Sequence, residues 1–155
     1  MKKFFIIYFF VVSYIFANQS SVCQLYNPDS LIEDVFSGAD GYKVDFSVNG
    51  FAFYNIYKDN KIIGYALCNK EFYLTTQFVE IAVVYDADKK LKYFVFQQIH
   101  KKDGMAFNNI EFISQFHPNV NSGMIKNPDY ENRKLFNAII RAFNTNKTTM
   151  IRYQK

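Results

Sequence analysis

The chain has few of the residues that build disulfide networks, flexible linkers and metal centres: 2 Cys, 3 Pro, 6 Gly, 2 His and no Trp. These counts exclude a disulfide-dense miniprotein, a collagen and a low-complexity linker. The charge is also nearly balanced, at +4 with no run of basic residues, so nothing indicates a nucleic-acid partner. What is abundant is apolar and aromatic: half of the 155 residues are apolar, with 18 Phe and 12 Tyr. The composition therefore predicts one folded domain.

The first 17 residues have the pattern of a secretory signal peptide. Lys2 and Lys3 precede an apolar run over residues 4–12, and Ala17 is a small residue followed by the polar segment 18–21. The alternative is a membrane anchor, but a span needs roughly 20 apolar residues and this run is shorter. We therefore expect an exported, periplasmic domain over residues 18–155, which meets a membrane only through an uncleaved signal segment.

The exported domain keeps two cysteines, Cys23 and Cys68. An oxidising compartment could join them, but nothing in the sequence shows that they lie close together, so their pairing stays open. Their spacing fits neither a CxxC redox motif nor a zinc motif, and the sequence assigns no metal site.

No catalytic residue is assigned from the sequence. The two histidines, His100 and His117, lie apart, and a catalytic histidine needs an orienting carboxylate and a reacting group beside it. Asp103 is close to His100 in sequence, but both lie in a charged stretch that we interpret as a solvated loop. Enzymatic activity is therefore left undecided.

The spacing of apolar residues changes from helical to alternating and back, which predicts an α+β fold in a single domain. Asn27 and Pro28 are typical of a helix start, and residues 37–41 end that helix. An antiparallel sheet of about five strands should follow, with Asn49-Gly50 as a hairpin turn. The predicted strands cover residues 42–48, 51–57, 62–67, 78–85 and 91–97.

The last third of the chain returns to helical spacing. A helix is predicted over residues 108–116, and a second one starts at Pro128-Asp129. We expect these flanking helices to cover one face of the sheet. Residues 148–153 are predicted to form a short edge strand. The polar loop over residues 119–127 could hold an anion such as a phosphate through its backbone N–H groups and the start of the last helix.

Five segments resemble, in the same order, the motifs of FMN-binding domain proteins, which include the exported flavin subunits of Rnf- and Nqr-type electron-transport complexes. The first resembles that family's "Phe-Pro-x-Ala-Asp-x-Tyr" entry, the next two its two hairpins, the fourth its "Arg-Phe-Leu-x-Gln-Phe" helix and the fifth its "Asp-x-Ile-Ser-Gly-Ala-Thr" loop. The segments are residues 35–42, 54–66, 79–91, 111–116 and 119–125.

The resemblance implies a flavin site at the last of these segments, with one important departure. In the family, the Thr of Ser-Gly-Ala-Thr takes FMN through a phosphoester bond that a flavin transferase makes. Here Ser122 and Gly123 match, while Met124 replaces Ala and Ile125 replaces Thr. Ile125 has no hydroxyl, so covalent attachment is expected to be lost. A non-covalent FMN would place its phosphate near Ser122, Gly123 and the start of the last helix.

Two functions follow from the resemblance and stay open on the sequence. One is an electron-transfer or accessory role in an envelope redox complex, with a subunit of that complex or another membrane protein as partner. The other is a cofactor-free periplasmic interaction or assembly module, which would bind a partner protein through exposed aromatic residues.

We expect the exported protein to begin at Asn18, because the apolar run is short and ends at a small residue followed by polar ones. N-terminal sequencing of protein recovered from the envelope tests this. A chain that still begins at Met1 would contradict it and favour an anchored form.

Overall fold

A computed structural model describes residues 23–153 of the chain. The predicted signal peptide, residues 1–17, and the predicted N-terminus, Asn18, lie outside this range. The described elements, in chain order, are α1 (Pro28–Val35), β1 (Gly41–Val48), β2 (Phe51–Lys58), β3 (Lys61–Phe72), β4 (Phe78–Asp86), β5 (Leu91–Gln98), α2 (Lys101–Gly104), α3 (Ile110–Ile113), a 3-10 turn (Ser122–Met124) and α4 (Arg133–Arg152).

The α+β prediction is confirmed. The five strands form one antiparallel sheet in the order β1-β2-β3-β4-β5, each beside its neighbour in sequence. The predicted Asn49-Gly50 hairpin is present: Val48 pairs with Phe51, and Gly50 has a φ of 71°. A side chain at position 50 would also meet the backbone oxygen of Lys70 at 3.2 Å, so both the conformation and the space favour glycine.

Both faces of the sheet are buried, and each has its own apolar core. Strand residues alternate between the faces, so a central strand such as β4 is apolar along nearly its whole length. One face packs against α4. Phe107, Phe112 and Phe116, from the segment between β5 and α4, belong to the same core. The other face lies beneath α1 and the residues that precede it.

The small helix α1 docks closely because the sheet leaves room for it. The ring of Phe36, just after α1, lies on Gly64 of β3. A side chain at position 64 would clash with that ring and approach the backbone oxygen of Tyr85 to 2.7 Å. Asn27 stands at the predicted cap position, but its side chain makes no capping hydrogen bond.

Three predictions for the last third of the chain are corrected. The helix predicted over residues 108–116 is shortened to α3, where the Asn109 side chain accepts a hydrogen bond from the Phe112 N–H at 3.0 Å. The last helix begins at Arg133, because the carboxylate of Asp129 binds the Glu131 and Asn132 N–H groups in a turn.

The predicted edge strand over residues 148–153 is wrong, because α4 continues to Arg152. Ile139, Phe143, Asn146 and Met150 are all buried and recur at helical spacing. This stripe outweighs the local β-propensity of Thr148 and Thr149. None of the helices within residues 23–153 combines the length and apolarity that a membrane span needs.

The replacement Ile139→Ala tests the packing of α4 on the sheet. Ile139 is fully buried, so we expect the free energy of unfolding to fall by about 2–5 kcal/mol, measured by urea denaturation. Ile151→Ala on the same helix is the control. Ile151 is 68% exposed, so a change within about 0.5 kcal/mol is expected there. Equal losses in the two variants would contradict this packing.

Candidate functional site

The Ser122–Met124 turn, whose sequence resembles the flavin loop of FMN-binding domain proteins, is held by hydrogen bonds within the same segment. The Gly123 N–H donates to the Asn121 side chain at 3.1 Å, the Met124 N–H to the Asn121 carbonyl at 2.8 Å, and the Ile125 N–H to the Ser122 carbonyl at 3.3 Å. A phosphate would have to displace these acceptors to use the same donors. Three N–H groups of this segment are thus already bonded within it, whereas anion capture depends on free N–H groups.

The residues that replace Ala and Thr in the family motif face different surroundings. Met124 is 76% exposed, whereas Ile125 is 6% exposed and belongs to the core on the α4 side of the sheet. Position 125 therefore lacks a hydroxyl and is also buried, so an external enzyme has no access to it. The chain after the turn is anchored by Gln115, whose Oε1 accepts from the Lys126 N–H at 2.7 Å.

The start of α4 does not complete an anion site with this turn. Arg133, its first residue, is separated from Gly123 by a segment without regular secondary structure. The Asp129 carboxylate already accepts from two backbone N–H groups at this helix entrance, and hydrogen bonds from Asn132 and Glu131 lower the pKa of Asp129. A second anion there would meet this negative charge. A phosphate at the predicted position would therefore compete with the Asp129 carboxylate and with the acceptors that the turn already holds.

A groove beside this turn is large enough for a ligand. It has a volume of about 620 Å³, within the range of about 300–1,000 Å³ that is typical of small-molecule sites. Residues of α3 and of the segment after the turn line it: Asn109, Glu111, Phe112, Gln115, Lys126 and Pro128. Lys126 is the one cation of this lining and Glu111 is its one anion.

A second cluster of reactive groups lies on the opposite face of the sheet. Cys23 and Cys68 form a disulfide, with their Cα atoms 5.7 Å apart. The Glu80 side chain lies against it: its Oε1 is 3.3 Å from the Cys23 Sγ and 3.4 Å from the Cys68 Sγ. Both cysteines are fully buried and Glu80 is 4% exposed.

Strand register explains why these residues meet. Cys68 on β3 pairs with Ala82 on β4, which puts Glu80 two positions away on the same face. Cys23 reaches them from the segment before α1. That segment is held to β5 by Gln97, which accepts from the Tyr26 N–H at 2.8 Å and donates from Nε2 to the Gln24 carbonyl at 3.2 Å.

Glu80 is an unusual residue to bury. Within residues 23–153 it has no cation at ion-pair distance, and burial raises the pKa of its carboxyl. The opposing influences are the more distant charge of Lys70 and a backbone hydrogen bond from Gln24, both of which lower that pKa. The same Gln97 Nε2 lies 2.9 Å from the Cys68 Sγ and 3.4 Å from the Glu80 Oε1.

The chain matches no protein-family model, no curated protein and no solved structure. Its function therefore has to be argued from its own residues.

The histidines fall into two different settings. His100 precedes α2, so the predicted solvated loop is in fact a short helix, and its Nδ1 lies 3.1 Å from the Asp103 carboxylate. The Tyr73 hydroxyl donates to the same carboxylate at 3.1 Å, and burial together with that carboxylate raises the pKa of Tyr73 to about 12. His117 lies apart, in a cleft beside the C-terminal half of α4. No Ser or Cys nucleophile is hydrogen-bonded to either histidine within residues 23–153.

We expect the Cys23–Cys68 disulfide to hold the segment before α1 on the sheet. Replacing both cysteines by Ala should lower the free energy of unfolding by about 3–4 kcal/mol, the chain-entropy value for a loop of this size. Urea denaturation measures the loss, and thiol titration in denaturant, without reductant, should find no free thiol in the parent chain.

Reductant supplies the control for this prediction. It should destabilise the parent chain and leave the double-alanine variant unchanged. Two titratable thiols in unreduced parent protein, or a parent chain whose stability is insensitive to reductant, would show that the disulfide is absent.

Proposed function

We propose that this protein is an exported FMN-binding-like domain that serves an envelope redox complex as an accessory subunit. In this proposal the domain binds a partner protein along β1 and carries no covalently attached flavin. The ordered resemblance of five segments supports the family relation. The buried Ile125 and the closed Ser122–Met124 turn support the loss of attachment.

The observation that carries the proposal is the exposed edge of the sheet that β1 forms. Within residues 23–153, β1 pairs with β2 alone among the strands, so it is an edge strand of the sheet. Val44 is 55% exposed, Phe46 37% and Val48 61%. A long edge strand with exposed apolar side chains is a template for adding a strand from another protein.

The charged residues of β1 do little to protect this edge. Asp45 lies at a bulge between Val44 and Phe46, and its carboxylate accepts from the Asn55 side chain at 3.0 Å and from the Tyr153 hydroxyl at 3.0 Å. Lys43 lies over the Tyr57 ring at 5.4 Å. Natural edge strands use such charges to repel other strands, but here both charges interact with the domain itself.

The bulge also distributes the apolar side chains over both sheet faces. Val44 lies opposite Tyr54, on the α1 side, whereas Phe46 lies opposite Phe53, on the α4 side. Phe46 stacks on Phe53 with ring centroids 5.3 Å apart. An incoming strand would therefore find apolar contacts above and below its backbone.

A second function, electron transfer by a non-covalently bound FMN, is favoured by the groove beside α3. Its volume of about 620 Å³ suits a ligand of this size class, and Lys126 would face the phosphate. The flavin would supply the redox chemistry when bound. The chain's own contribution would be the Lys126 charge and the fixed position that Gln115 imposes on residue 126.

The interface prediction is tested by photo-crosslinking in the native envelope. A photoreactive amino acid at position 44 or 48 should give a crosslink to a subunit of a membrane redox complex, identified by mass spectrometry. The same residue at position 130 is the control, because Tyr130 is 84% exposed and distant in sequence from β1. Val44→Lys with Val48→Lys should abolish co-purification of that subunit without lowering the unfolding midpoint.

Three results would contradict the interface. They are the absence of a crosslink from β1, the same products from position 130, and undiminished co-purification of the double-lysine variant. Crosslinks to a partner without redox function would instead favour the assembly-module alternative.

We expect no covalent FMN on this chain when it is expressed with an active flavin transferase. Intact-mass measurement and flavin fluorescence of the denatured protein on a gel both test this. The variant Met124→Ala with Ile125→Thr restores the motif, but position 125 is buried, so attachment should still fail. A mass increase of one FMN on either protein would contradict the geometry of the turn.

Titration with free FMN separates the two proposed functions. Binding of FMN is measured by the quenching of its fluorescence. An affinity that falls at least tenfold in Lys126→Gln would favour the electron-transfer function. The variant Lys134→Gln is a control from outside the groove lining. If FMN binds neither the parent chain nor the Lys126→Gln variant, the result supports the accessory role.

A further inference from the structure

Cys23, Cys68 and Glu80 bring three metal-ligating atoms together. The two Sγ atoms and a Glu80 carboxylate oxygen all lie within 4.8 Å of one another, and all three residues are buried. They come from the segment before α1, from β3 and from β4. Two of the three therefore stand on paired central strands, which hold ligands more rigidly than loops do.

The distances suit a tetrahedral ion once the sulfurs are thiolates. Zinc–sulfur and zinc–oxygen bonds of about 2.3 and 2.0–2.2 Å imply a sulfur–oxygen separation of about 3.5 Å across a tetrahedral edge. The Glu80 Oε1 is already 3.3 and 3.4 Å from the two sulfurs. The sulfur–sulfur edge would be about 3.8 Å, so the sulfurs must separate when the disulfide is absent. Two sulfur atoms without a bond between them repel one another at disulfide distance, so reduction moves them apart, as the metal site requires.

Charge favours a divalent cation at this place. Two thiolates and a carboxylate carry three negative charges, and Glu80 has no cation at ion-pair distance within the described residues. Uncompensated charges of this kind are very costly in a buried site. The Lys70 ammonium, whose charge acts on Glu80 from beyond ion-pair distance, lies 3.8 Å from the centroid of the Phe78 ring.

The ligand set selects the kind of ion. Two thiolates with one carboxylate suit a borderline-soft ion such as Zn²⁺, whereas Ca²⁺ and Mg²⁺ require oxygen ligands. Gln97 would serve as an outer-shell donor to such an ion, since its Nε2 lies 2.9 Å from the Cys68 Sγ while its Oε1 accepts from the Tyr26 N–H. Outer-shell donors of this type orient the ligands.

We propose that the dithiol form of this protein binds a zinc-class divalent cation through Cys23, Cys68 and Glu80. Binding breaks two S–H bonds, forms two metal–sulfur bonds and one metal–oxygen bond, and releases two protons to solvent, with no electron transfer. A newly made chain carries these thiols before any oxidation. The disulfide removes both thiolates, so metal binding and the disulfide exclude each other.

Anaerobic titration of the reduced, full-length chain with Co²⁺ tests the proposal. We expect one equivalent to produce the sulfur-to-cobalt charge-transfer band and the intense visible bands of a tetrahedral site, and Zn²⁺ to abolish them. The disulfide form should show neither. Circular dichroism recorded at each point reports folding. If the reduced chain is partly unfolded without metal, one equivalent of Zn²⁺ should restore the native spectrum.

Matched variants separate the site from general thiol chemistry. Glu80→Gln should weaken Co²⁺ binding at least tenfold, and Gln97→Ala should weaken it about 10–100-fold. Glu131→Gln, in the exposed segment before α4, should bind as the parent does. Absence of the cobalt bands from the reduced chain, equal affinity in Glu80→Gln and parent, or binding by the disulfide form would each overturn the proposal.

Discussion

The structure depends on the burial of the central strands β3 and β4 on both faces. From Gly64 to Asn69 on β3 and from Val79 to Tyr85 on β4, every residue is buried. Such strands cannot leave either face in water without exposing a large apolar area. The fold therefore needs two covers. The 20-residue helix α4 supplies one, and the eight-residue helix α1 with the segment before it supplies the other.

The two covers differ in how they are held. Helix α4 is long, and its stripe of buried residues packs directly on the sheet. The α1 cover is short, and helices of eight residues have little stability of their own. The Cys23–Cys68 disulfide ties its leading segment to β3, and the Gln97 amide ties the same segment to β5. The α1 cover is thus held by a covalent bond and by polar contacts, whereas the α4 cover is held by the apolar area that it buries on the sheet.

Much of the sheet could be predicted from sequence because its signals are local. Alternating residues and the Asn49-Gly50 turn locate the hairpins within a few residues. The bounds of elements that depend on tertiary packing could not be predicted in this way. The Thr148-Thr149 pair predicts a strand by propensity, but Met150 completes the buried stripe of α4, and packing decides. The Asp129 turn that delays α4 to Arg133 depends on side-chain hydrogen bonds that a pattern of apolar residues does not contain.

The candidate sites likewise combine features that are local in the sequence with features that depend on the tertiary structure. The motif comparison singles out Ile125 as a residue without a hydroxyl, but only the structure shows that its side chain is buried and that the Gly123 N–H is bonded to the Asn121 side chain. The Cys23, Cys68 and Glu80 cluster was missed because metal motifs are recognised by short spacing. A register argument could have found two of the three residues: once β3 and β4 are paired through their hairpin, Cys68 and Glu80 fall on one face. Cys23 has no such signal, since its place depends on where the α1 cover lies.

The sheet separates the chemistry of the protein into independent regions. Ile125 belongs to the core on the α4 side, whereas the sulfurs and the Glu80 carboxylate belong to the core on the α1 side. The side chain at position 125 therefore places no constraint on the cysteine cluster, and oxidation of the cysteines need not alter the turn. The β1 edge lies two strands from β3 in the sheet. Val48 lies opposite Phe51 of the α4-side core, whereas Val44 lies opposite Tyr54 of the core that also holds the cysteines. A change at Val48 is therefore better separated from the cysteine cluster than a change at Val44, and separated sites without shared contacts act additively.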